Sequence, residues 1–184
     1  MFKESFLELK KTQTIAILSI LIAMHVLISS VFIPVAPGLR IYATFFVIAL
    51  AGVVAGPTTA IFYGFICDIL GVIIHPSGPF FIGYTITTMM SSMIYALFLY
   101  KQKITVVKLF SAKLIVNLFC NVFLNSIWNY ILFDKAFIYF VSKSIVKNVL
   151  LLPIEVFLLY VVFKLMLKTL NRLKYTNQKN IPLY

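Results

Sequence analysis

Six long apolar stretches, separated by turn-forming residues, make up most of this chain. They run over about Thr14 to Ile33, Ile41 to Ala55, Thr58 to Ile74, Phe80 to Tyr100, Lys113 to Phe133, and Ile145 to Lys168. A helix needs about 20 mainly apolar residues to cross about 30 Å of hydrocarbon. The separators are rich in Pro and Gly: Pro34-Val-Ala-Pro37-Gly38, Gly56-Pro57 and Pro76-Ser-Gly-Pro79. The pattern predicts an all-α fold, a polytopic bundle of six transmembrane helices that forms a single membrane domain over residues 1–184.

Composition supports a membrane protein and excludes a soluble globule. The 184 residues are 62% hydrophobic and 11% charged, and the formal net charge is +11. Soluble domains have about 25% charged residues. Nucleic-acid binding is disfavoured because long uncharged runs separate the basic residues. The first apolar run is too long for the h-region of a cleaved signal peptide, about 7–15 residues, so it is expected to remain as a helix.

The basic residues predict an orientation, because cytoplasmic loops carry the excess of Lys and Arg. Placing both termini inside puts 12 of the 16 basic residues on the cytoplasmic side, including basic tails over residues 1–13 and 169–184. The twelve are Lys3, Lys10, Lys11, Lys101, Lys103, Lys108, Lys113, Lys164, Lys168, Arg172, Lys174 and Lys179. The outer side then holds Arg40, Lys135, Lys143 and Lys147.

Polar residues recur at intervals of four along the fifth stretch. They are Lys113, Asn117, Asn121, Asn125 and Asn129. Residues i and i+4 share one stripe of an α-helix, and an unpaired amide in hydrocarbon costs several kcal/mol, so the stripe is predicted to face the bundle interior. Hydrogen bonding between helices is the favoured interpretation for Asn117. For Asn121 and Asn125 a ligand-binding wall is equally supported, since an amide offers both a donor and an acceptor.

Charged residues within or beside the spans are candidates for function, because insertion of a charge at a helix centre costs about 2.5 to 3.5 kcal/mol. Glu155 follows Pro153, and a structural ion pair is favoured although the sequence identifies no partner. For Asp68, an ion pair with Arg40 and a ligand contact are equally supported. Lys143 and Lys147 either snorkel to the interface or, with Arg40, attract an anionic ligand.

Aromatic residues divide into two groups by position. Phe81, Tyr84 and Trp128 lie in the outer third beside the polar stripe, as packing residues or as rings that stack on a flat ligand. Four others fit an interfacial belt: Tyr95, Tyr100, Phe133 and Tyr139. On the first helix, Ser19 and Ala23 form a small-xxx-small pair that permits close approach of a helix from the bundle or from another protein.

Motifs of enzymes are missing from the sequence. There is no phosphate-binding loop, no H-E-x-x-H and no G-x-S-x-G. Cys67, Cys120, His25 and His75 are all isolated, so no metal site or cofactor is expected. The chain is therefore expected not to be an enzyme, and energy for uphill transport would come from a partner or an ion gradient.

A series of landmarks in order resembles the substrate-binding S components of energy-coupling factor (ECF) vitamin transporters, within them the folate type, FolT. The landmarks are Leu39-Arg40-Ile41, Ala49-Leu-Ala-Gly52, Gly56-Pro57, Asp68-Ile-Leu-Gly71, Pro76-Ser-Gly-Pro-Phe-Phe, Gly83-Tyr-Thr-Ile-Thr87, Asn121-Val-Phe-Leu-Asn125-Ser-Ile-Trp128, and Lys147-Asn148-Val-Leu-Leu-Leu-Pro153-Ile. The resemblance implies a six-helix subunit of a prokaryotic cell membrane. It also implies capture of folate from the outer side and association with a membrane coupling protein and two cytoplasmic ATPases.

The resemblance also implies roles for particular residues. The family's Ala-x-x-x-Ala docking motif reads Ser19-Ile-Leu-Ile-Ala23 here, Lys143 replaces an expected Arg, and Glu155 replaces an expected Gln. Together with the polar pattern, it leads us to expect the pterin to be hydrogen-bonded by Asn121, Asn125 and Asp68. Trp128, Tyr84 and Phe81 would enclose the pterin, and the ligand carboxylates would meet Arg40, Lys143 and Lys147.

Two alternatives remain open from the sequence. The ligand of such an S component could be another vitamin or precursor, such as riboflavin, thiamine or a pyrimidine. The chain could instead be a small membrane enzyme acting on lipid, with Asp68 and Glu155 as acid and base. Their different predicted depths argue against shared chemistry.

Overall fold

The computed structural model describes residues 2–36, 39–76, 80–133, 137–178 and 180–184, with the backbone alone for residues 32–36 and 39–41. The elements are α1 (Phe2–Glu8), α2 (Thr12–Ser29), β1 (Phe32–Ala36), β2 (Leu39–Tyr42), α3 (Phe45–Ile74), α4 (Ile82–Leu99), α5 (Val106–Ile115), a π-helical segment (Val116–Leu124), α6 (Asn125–Phe133) and α7 (Phe137–Arg172). Among the described residues, five helices are long and apolar enough to cross a membrane, with Val106–Phe133 as one of them. The predicted fold class, a polytopic helical bundle, is confirmed.

The second and third predicted segments both lie largely in α3, which is broken at Gly56, where the chain reverses direction. Gly56 has φ 71° and ψ 173°, a conformation outside the helical region. A Cβ at Gly52 would lie 2.9 Å from Ala96 N, and one at Gly64 would lie 2.8 Å from Ser92 Oγ. Ala96 and Ser92 are only one turn apart on α4, whereas a straight helix would separate Gly52 from Gly64 by about 18 Å. The two halves of α3 therefore run in opposite directions along α4.

The short helix α1 packs into this reversal. Ser5 Oγ donates to Ala55 O at 2.8 Å and accepts from Thr59 N at 3.1 Å, while Thr59 Oγ1 donates to Ser5 O at 2.6 Å. These bonds satisfy backbone groups that the break removes from the helical ladder. Residues 1–13 were expected only as a basic tail, but part of this segment is buried structure.

The C-terminal segment lies at the same end of the bundle. Val106 N donates to Pro182 O at 3.0 Å, and Ile104 N donates to Gln178 Oε1 at 2.7 Å. We call this end the base: α1, Gly56, Tyr100 and the segment after Arg172. The segments near both termini therefore lie at one end of the bundle.

Several predicted boundaries are wrong. Ile41 belongs to the antiparallel hairpin β1–β2, in which it pairs with Ile33, and α3 begins only at Phe45. The fifth helix begins at Val106 rather than at Lys113, because Thr105 caps it by accepting from Lys108 N at 3.3 Å. The sixth predicted segment corresponds to α7, which begins at Phe137 rather than at Ile145. A charged residue did not mark a helix end at Lys113, whose charge is buried, or at Lys143, which lies within the continuous helix α7.

Candidate ligand-binding cavity

A cavity of about 390 Å³ lies between α2, α3, α4, α7 and the helix Val106–Phe133. Small-molecule sites in proteins are typically clefts of about 300–1,000 Å³. Six of the residues predicted to bind ligand line it: Asp68, Phe81, Tyr84, Asn121, Asn125 and Lys147. Residues far apart in sequence thus meet at one concave surface.

Three predicted aromatic residues form one cluster at the cavity. The ring of Phe81 lies 5.7 Å from that of Trp128 and 6.0 Å from that of Tyr84, between centroids. Trp128 Nε1 donates to Thr87 Oγ1 at 3.0 Å, which fixes the indole behind Phe81. Gly83 lies beneath both rings: a Cβ there would come within 2.5 Å of Trp128 Cδ2 and would also collide with Phe81. The absence of a side chain at position 83 therefore permits this aromatic packing.

Asp68 faces α4 from the second half of α3. Its carboxylate accepts a hydrogen bond from Thr85 Oγ1 at 2.6 Å and another from Thr88 Oγ1 at 3.3 Å. The partner considered from sequence, the Arg40 side chain, lies outside the described residues. The recorded partners of Asp68 are thus neutral hydroxyl groups, and Asp68 still lines the cavity.

Part of the asparagine stripe lies in a π-helix, whereas Asn125 and Asn129 lie in α6. The π-helical segment covers Val116–Leu124 and so contains Asn117 and Asn121. Such i→i+5 segments are rare and are frequently located at functional sites. Asn117 Nδ2 donates to Glu155 Oε2 at 2.9 Å, and Asn121 Nδ2 donates to Asn117 Oδ1 at 2.9 Å. The predicted interhelical role of Asn117 is confirmed.

Asn125 differs from its neighbours on the stripe. Its Oδ1 is buried and has no hydrogen-bond partner among the described residues. A buried acceptor without a partner costs about 1–3 kcal/mol. Because Asn125 lines the cavity, a ligand N–H or O–H group there would remove this cost.

A buried ion pair closes the cavity on the side of the base. Lys113 Nζ lies 3.0 Å from Glu155 Oε1, with the two side chains 2% and 10% exposed. The same ammonium lies 4.2 Å from the centre of the Phe45 ring. Glu155 thus has the structural partner that the sequence did not identify. The Lys113 side chain lies inside the bundle, as its place on the polar stripe predicts.

The three predicted carboxylate-binding cations have different positions. Lys147 lines the cavity. Lys143 is exposed, and its Nζ donates to Tyr139 Oη at 2.6 Å rather than reaching the cavity. Arg40 lies in β2 opposite Pro34, but its side chain is outside the described residues. Of the two cations whose side chains are described, Lys147 is therefore the one at the candidate site.

Tyr95 and His25 are among the cavity residues that the sequence analysis did not assign to the site. Tyr95 was expected in an interfacial belt, but it is 0% exposed and its hydroxyl has no partner among the described residues. His25 is buried too, and its Nδ1 is likewise unpaired within the described part of the chain. Both line the cavity. A sequence pattern could have identified Tyr95: it lies four residues after Ser91 and eight after Thr87, so the three share one polar face of α4.

The predicted docking pair lies on the outside of the bundle. Ser19 and Ala23 are both exposed on α2, and Ser19 Oγ donates to Ile15 O at 3.0 Å in its own helix. Within the described part of the chain, this small-residue pair is thus not covered by another helix. Its role in docking stays a prediction.

Residues 13–163 match the family described as ECF transporter, substrate-specific component. The chain belongs to this family. Among its relatives, the Folate transporter FolT of Clostridium novyi (strain NT) is 28% identical over 172 residues, which cover 92% of this chain and 100% of the relative. The Folate transporter FolT of Leuconostoc mesenteroides subsp. mesenteroides is 30% identical over 158 residues, which cover 81% and 83%.

The fold of this S component is also similar to a solved one. A crystal structure of FolT bound with folic acid superimposes with a TM-score of 0.75 at 28% identity, over 82% of this chain and 93% of that chain. The family consists of transporter components and not of enzymes, so the expectation of no enzymatic activity agrees with it and the lipid-enzyme alternative is set aside. The S component is a multi-pass membrane protein.

Proposed function

We propose that this S component binds folate in the described cavity and delivers it through an ECF importer of a prokaryotic cell membrane. The observation that carries the proposal is Asn125 Oδ1, which has no hydrogen-bond partner among the described residues and lies on the wall of a cavity of ligand size. An acceptor of this kind suits the N–H groups of a pterin. The relatives named as folate transporters and the similar structure with folic acid support the same ligand.

Most of the proposed contacts line the cavity, and Trp128 packs against the lining residue Phe81. Asn121 and Asn125, together with Asp68, hydrogen-bond the pterin, and the cluster of Phe81, Tyr84 and Trp128 encloses its flat face. Lys147 is placed to attract the ligand carboxylates, with Arg40 as a second cation. Lys143, which bonds to Tyr139 at the surface, contributes at longer range.

Assembly with energy-supplying subunits completes the proposed function. The partners are a membrane coupling protein and two cytoplasmic ATPases. The exposed pair Ser19 and Ala23 offers a surface that another helix can approach closely. In the proposed orientation, which the charge asymmetry favours, the base and both termini are on the cytoplasmic side, where the ATPases would be reached.

Equilibrium binding of labelled folic acid to the purified chain in detergent tests the ligand assignment. Asn125→Ala is expected to weaken binding about tenfold or more, because a ligand N–H loses its buried acceptor. Asn171→Ala is the matched control: its amide bonds to Gln178 at the base, so affinity should not change. Equal affinity of wild type and Asn125→Ala would remove Asn125 from the site.

Competition separates folate from the other vitamins considered. Unlabelled folic acid should displace the label, whereas riboflavin, thiamine and a free pyrimidine should not at comparable concentrations. Displacement by one of those compounds at lower concentration than folic acid would assign that compound as the ligand.

A further inference from the structure

A second cavity, at the base, is lined by three lysines, and we call it the basic pocket. Its volume is about 260 Å³, and Lys11, Lys101 and Lys174 reach it from the residue before α2, the end of α4 and the end of α7. Glu8 is the one carboxylate among the described lining residues, and it is already bonded to Lys11 at 2.8 Å. The other two lysines therefore bring positive charge that the lining of the pocket does not balance.

Lys101 and Lys174 both have a left-handed backbone. Their φ angles are 53° and 64°, and no other non-glycine residue in the described part of the chain has a positive φ. Lys174 follows α7 where a Schellman motif places its left-handed residue: Lys174 N donates to Asn171 O at 3.0 Å, and Tyr175 N donates to Leu170 O at 3.0 Å. Glycine is usual there, because a Cβ is unfavourable in this conformation. The chain thus has lysine at two positions where glycine would fold more easily, and both lysines line the same pocket.

The ammonium groups of these two lysines are accessible to a ligand. Lys101 Nζ lies 3.4 Å from Glu4 Oε2, but both side chains are more than half exposed, and exposed ion pairs of this kind are weak. Lys174 is exposed, and the described residues offer its side chain no partner. Two such cations beside one cavity suit an anionic oxygen group such as a phosphate.

The helix α1 indicates that this phosphate belongs to a lipid. Ser5 and Glu8 are buried, whereas Phe2, Phe6 and Leu7 on the same helix are each more than half exposed. An exposed apolar face beside basic residues is typical of segments that lie in the membrane interface. In the proposed orientation the base meets the cytoplasmic leaflet, where basic pockets between membrane helices bind anionic headgroups.

We infer that the basic pocket binds the phosphate headgroup of an anionic phospholipid. Lys101 and Lys174 contact the phosphate, and the acyl chains lie along Phe2 and Phe6. The basic pocket and the candidate folate cavity share no lining residue among those described, so the lipid is a ligand additional to the transported one. A lipid bound there stabilises the folded base by mass action.

Lipid titration of the purified chain in detergent, followed by native mass spectrometry, tests this site. The spectra count the lipids bound per protein, and phosphatidylglycerol is compared with phosphatidylcholine of the same acyl chains. We expect wild type to bind one phosphatidylglycerol about tenfold or more tightly than phosphatidylcholine. Lys101→Gly and Lys174→Gly should each weaken phosphatidylglycerol binding about fivefold, and the double variant should lose the preference.

The glycine variants also separate lipid binding from a role in folding. Glycine adopts a left-handed backbone readily, so in lipid-free detergent both variants should melt at the temperature of wild type or higher. If the lysines served only to complement the negative C-terminal ends of α4 and α7, both variants would melt lower and keep the lipid preference. That result would overturn the inference.

Lys103→Gly is the matched control. Lys103 is exposed in the same loop as Lys101 but does not line the basic pocket. This variant removes the same charge and should keep the preference for phosphatidylglycerol. An equal loss of preference in Lys103→Gly and Lys101→Gly would assign the effect to overall charge and overturn the site.

A soluble headgroup distinguishes a lipid from a free phosphate. Glycerol 3-phosphate carries the phosphate without acyl chains, so it should not displace phosphatidylglycerol at comparable concentrations. Displacement at equal concentration would assign the pocket to a soluble phosphate compound and overturn the lipid assignment. Equal phosphatidylglycerol binding by wild type and the double variant would overturn the inference entirely, whatever the outcome of the folic acid measurements.

Discussion

At the base, the Ala55 carbonyl and the Thr59 amide, both affected by the break at Gly56, are bonded by Ser5. In the cavity, by contrast, Asn125 Oδ1 and the Tyr95 hydroxyl are buried without a partner among the described residues. Both regions contain polar groups that water cannot reach easily. At the base the chain satisfies its own groups, whereas at the cavity wall it leaves groups for a ligand. Substitutions at the base should therefore affect stability, and substitutions at the cavity should affect binding.

Two buried glutamates extend the comparison. Glu8 at the base accepts from Lys11 at 2.8 Å, from Thr14 at 3.1 Å and from Tyr100 at 3.3 Å. Glu155 has two recorded partners and borders the ligand space. Two similar buried carboxylates thus differ in place: Glu8 is bonded within the base, whereas Glu155 forms part of the cavity wall.

The largest expected effect is that of Gly56→Ala. A φ of 71° with a ψ of 173° is open essentially to glycine only, at a cost to other residues of about 1–3 kcal/mol. The added Cβ would also come within 2.8 Å of Ser5 Oγ and 3.0 Å of Tyr100 Cε1. We expect a loss of about 3 kcal/mol in the free energy of unfolding, measured by denaturant titration in detergent.

Gly71→Ala is the matched control for this loss. A Cβ at Gly71 would meet only Ser29 Oγ, at 3.8 Å, in an ordinary contact. Its helical backbone predicts no loss and a gain of up to about 1 kcal/mol. Equal unfolding curves for the two variants would contradict the account of the break.

Ser5→Ala should produce the next largest effect. It leaves a buried carbonyl at Ala55 and a buried amide at Thr59 without the Ser5 hydroxyl, at a cost of about 1–3 kcal/mol. Folic acid affinity of the folded protein should stay unchanged. Ser19→Ala is the control, since the exposed Ser19 hydroxyl bonds only within its helix and its loss should change stability by less than about 0.5 kcal/mol.

Gly83→Ala tests the other side of the comparison. The added methyl displaces the Trp128 and Phe81 rings that lie over Gly83. Since aromatic pairs contribute about 0.5–1.5 kcal/mol, folic acid affinity should fall about threefold to tenfold. Isothermal titration against Gly71→Ala, also at the cavity, isolates the effect of the displaced rings. Unchanged affinity would show that the aromatic cluster does not shape the ligand site.

Much of the fold follows from the sequence because apolar run length fixes how many segments can cross a bilayer. Gly56-Pro57 correctly divides the second and third segments. The hairpin and the π-helical segment were not predicted, because both depend on backbone hydrogen bonds that hydropathy does not report. The helix α1 was missed because its seven residues gain their partners from the break at Gly56.

The sequence predicts which residues line the candidate site better than it predicts which side chains bond to each other. Asn121, Asn125, Phe81 and Tyr84 do meet at one cavity, since helices bury polar stripes together. The partnership of Lys113 with Glu155 joins residues 42 positions apart, which no local spacing reveals. Spacing also does not distinguish Lys143 from Lys147: the two lie one turn apart on α7, yet Lys143 bonds to Tyr139 at the surface whereas Lys147 lines the cavity.

The smallest expected effect concerns alkaline pH at the base. A hydrogen bond from Lys11 to Glu8 raises the pKa of the Lys11 ammonium above its usual value. A raised pKa in the folded state means that the contribution is full below the pKa of the unfolded chain and is lost as pH rises through the folded value. Lys11 is largely exposed, so we expect a loss of less than about 1 kcal/mol above pH ~10.4.

Melting temperatures of wild type and Lys11→Arg across this range measure that loss. Arginine keeps its charge and its bond to Glu8, so the variant should lose less stability at high pH. Burial also raises the pKa of Tyr100, but this group titrates in both proteins and cancels in the difference. Parallel curves would show that the Lys11–Glu8 pair adds nothing to the base, and that Glu8 depends on Thr14 and Tyr100 for its stabilisation. A difference confined to alkaline pH, with folic acid affinity equal in both proteins, would place this ion pair among the contacts that stabilise the fold without touching the ligand site.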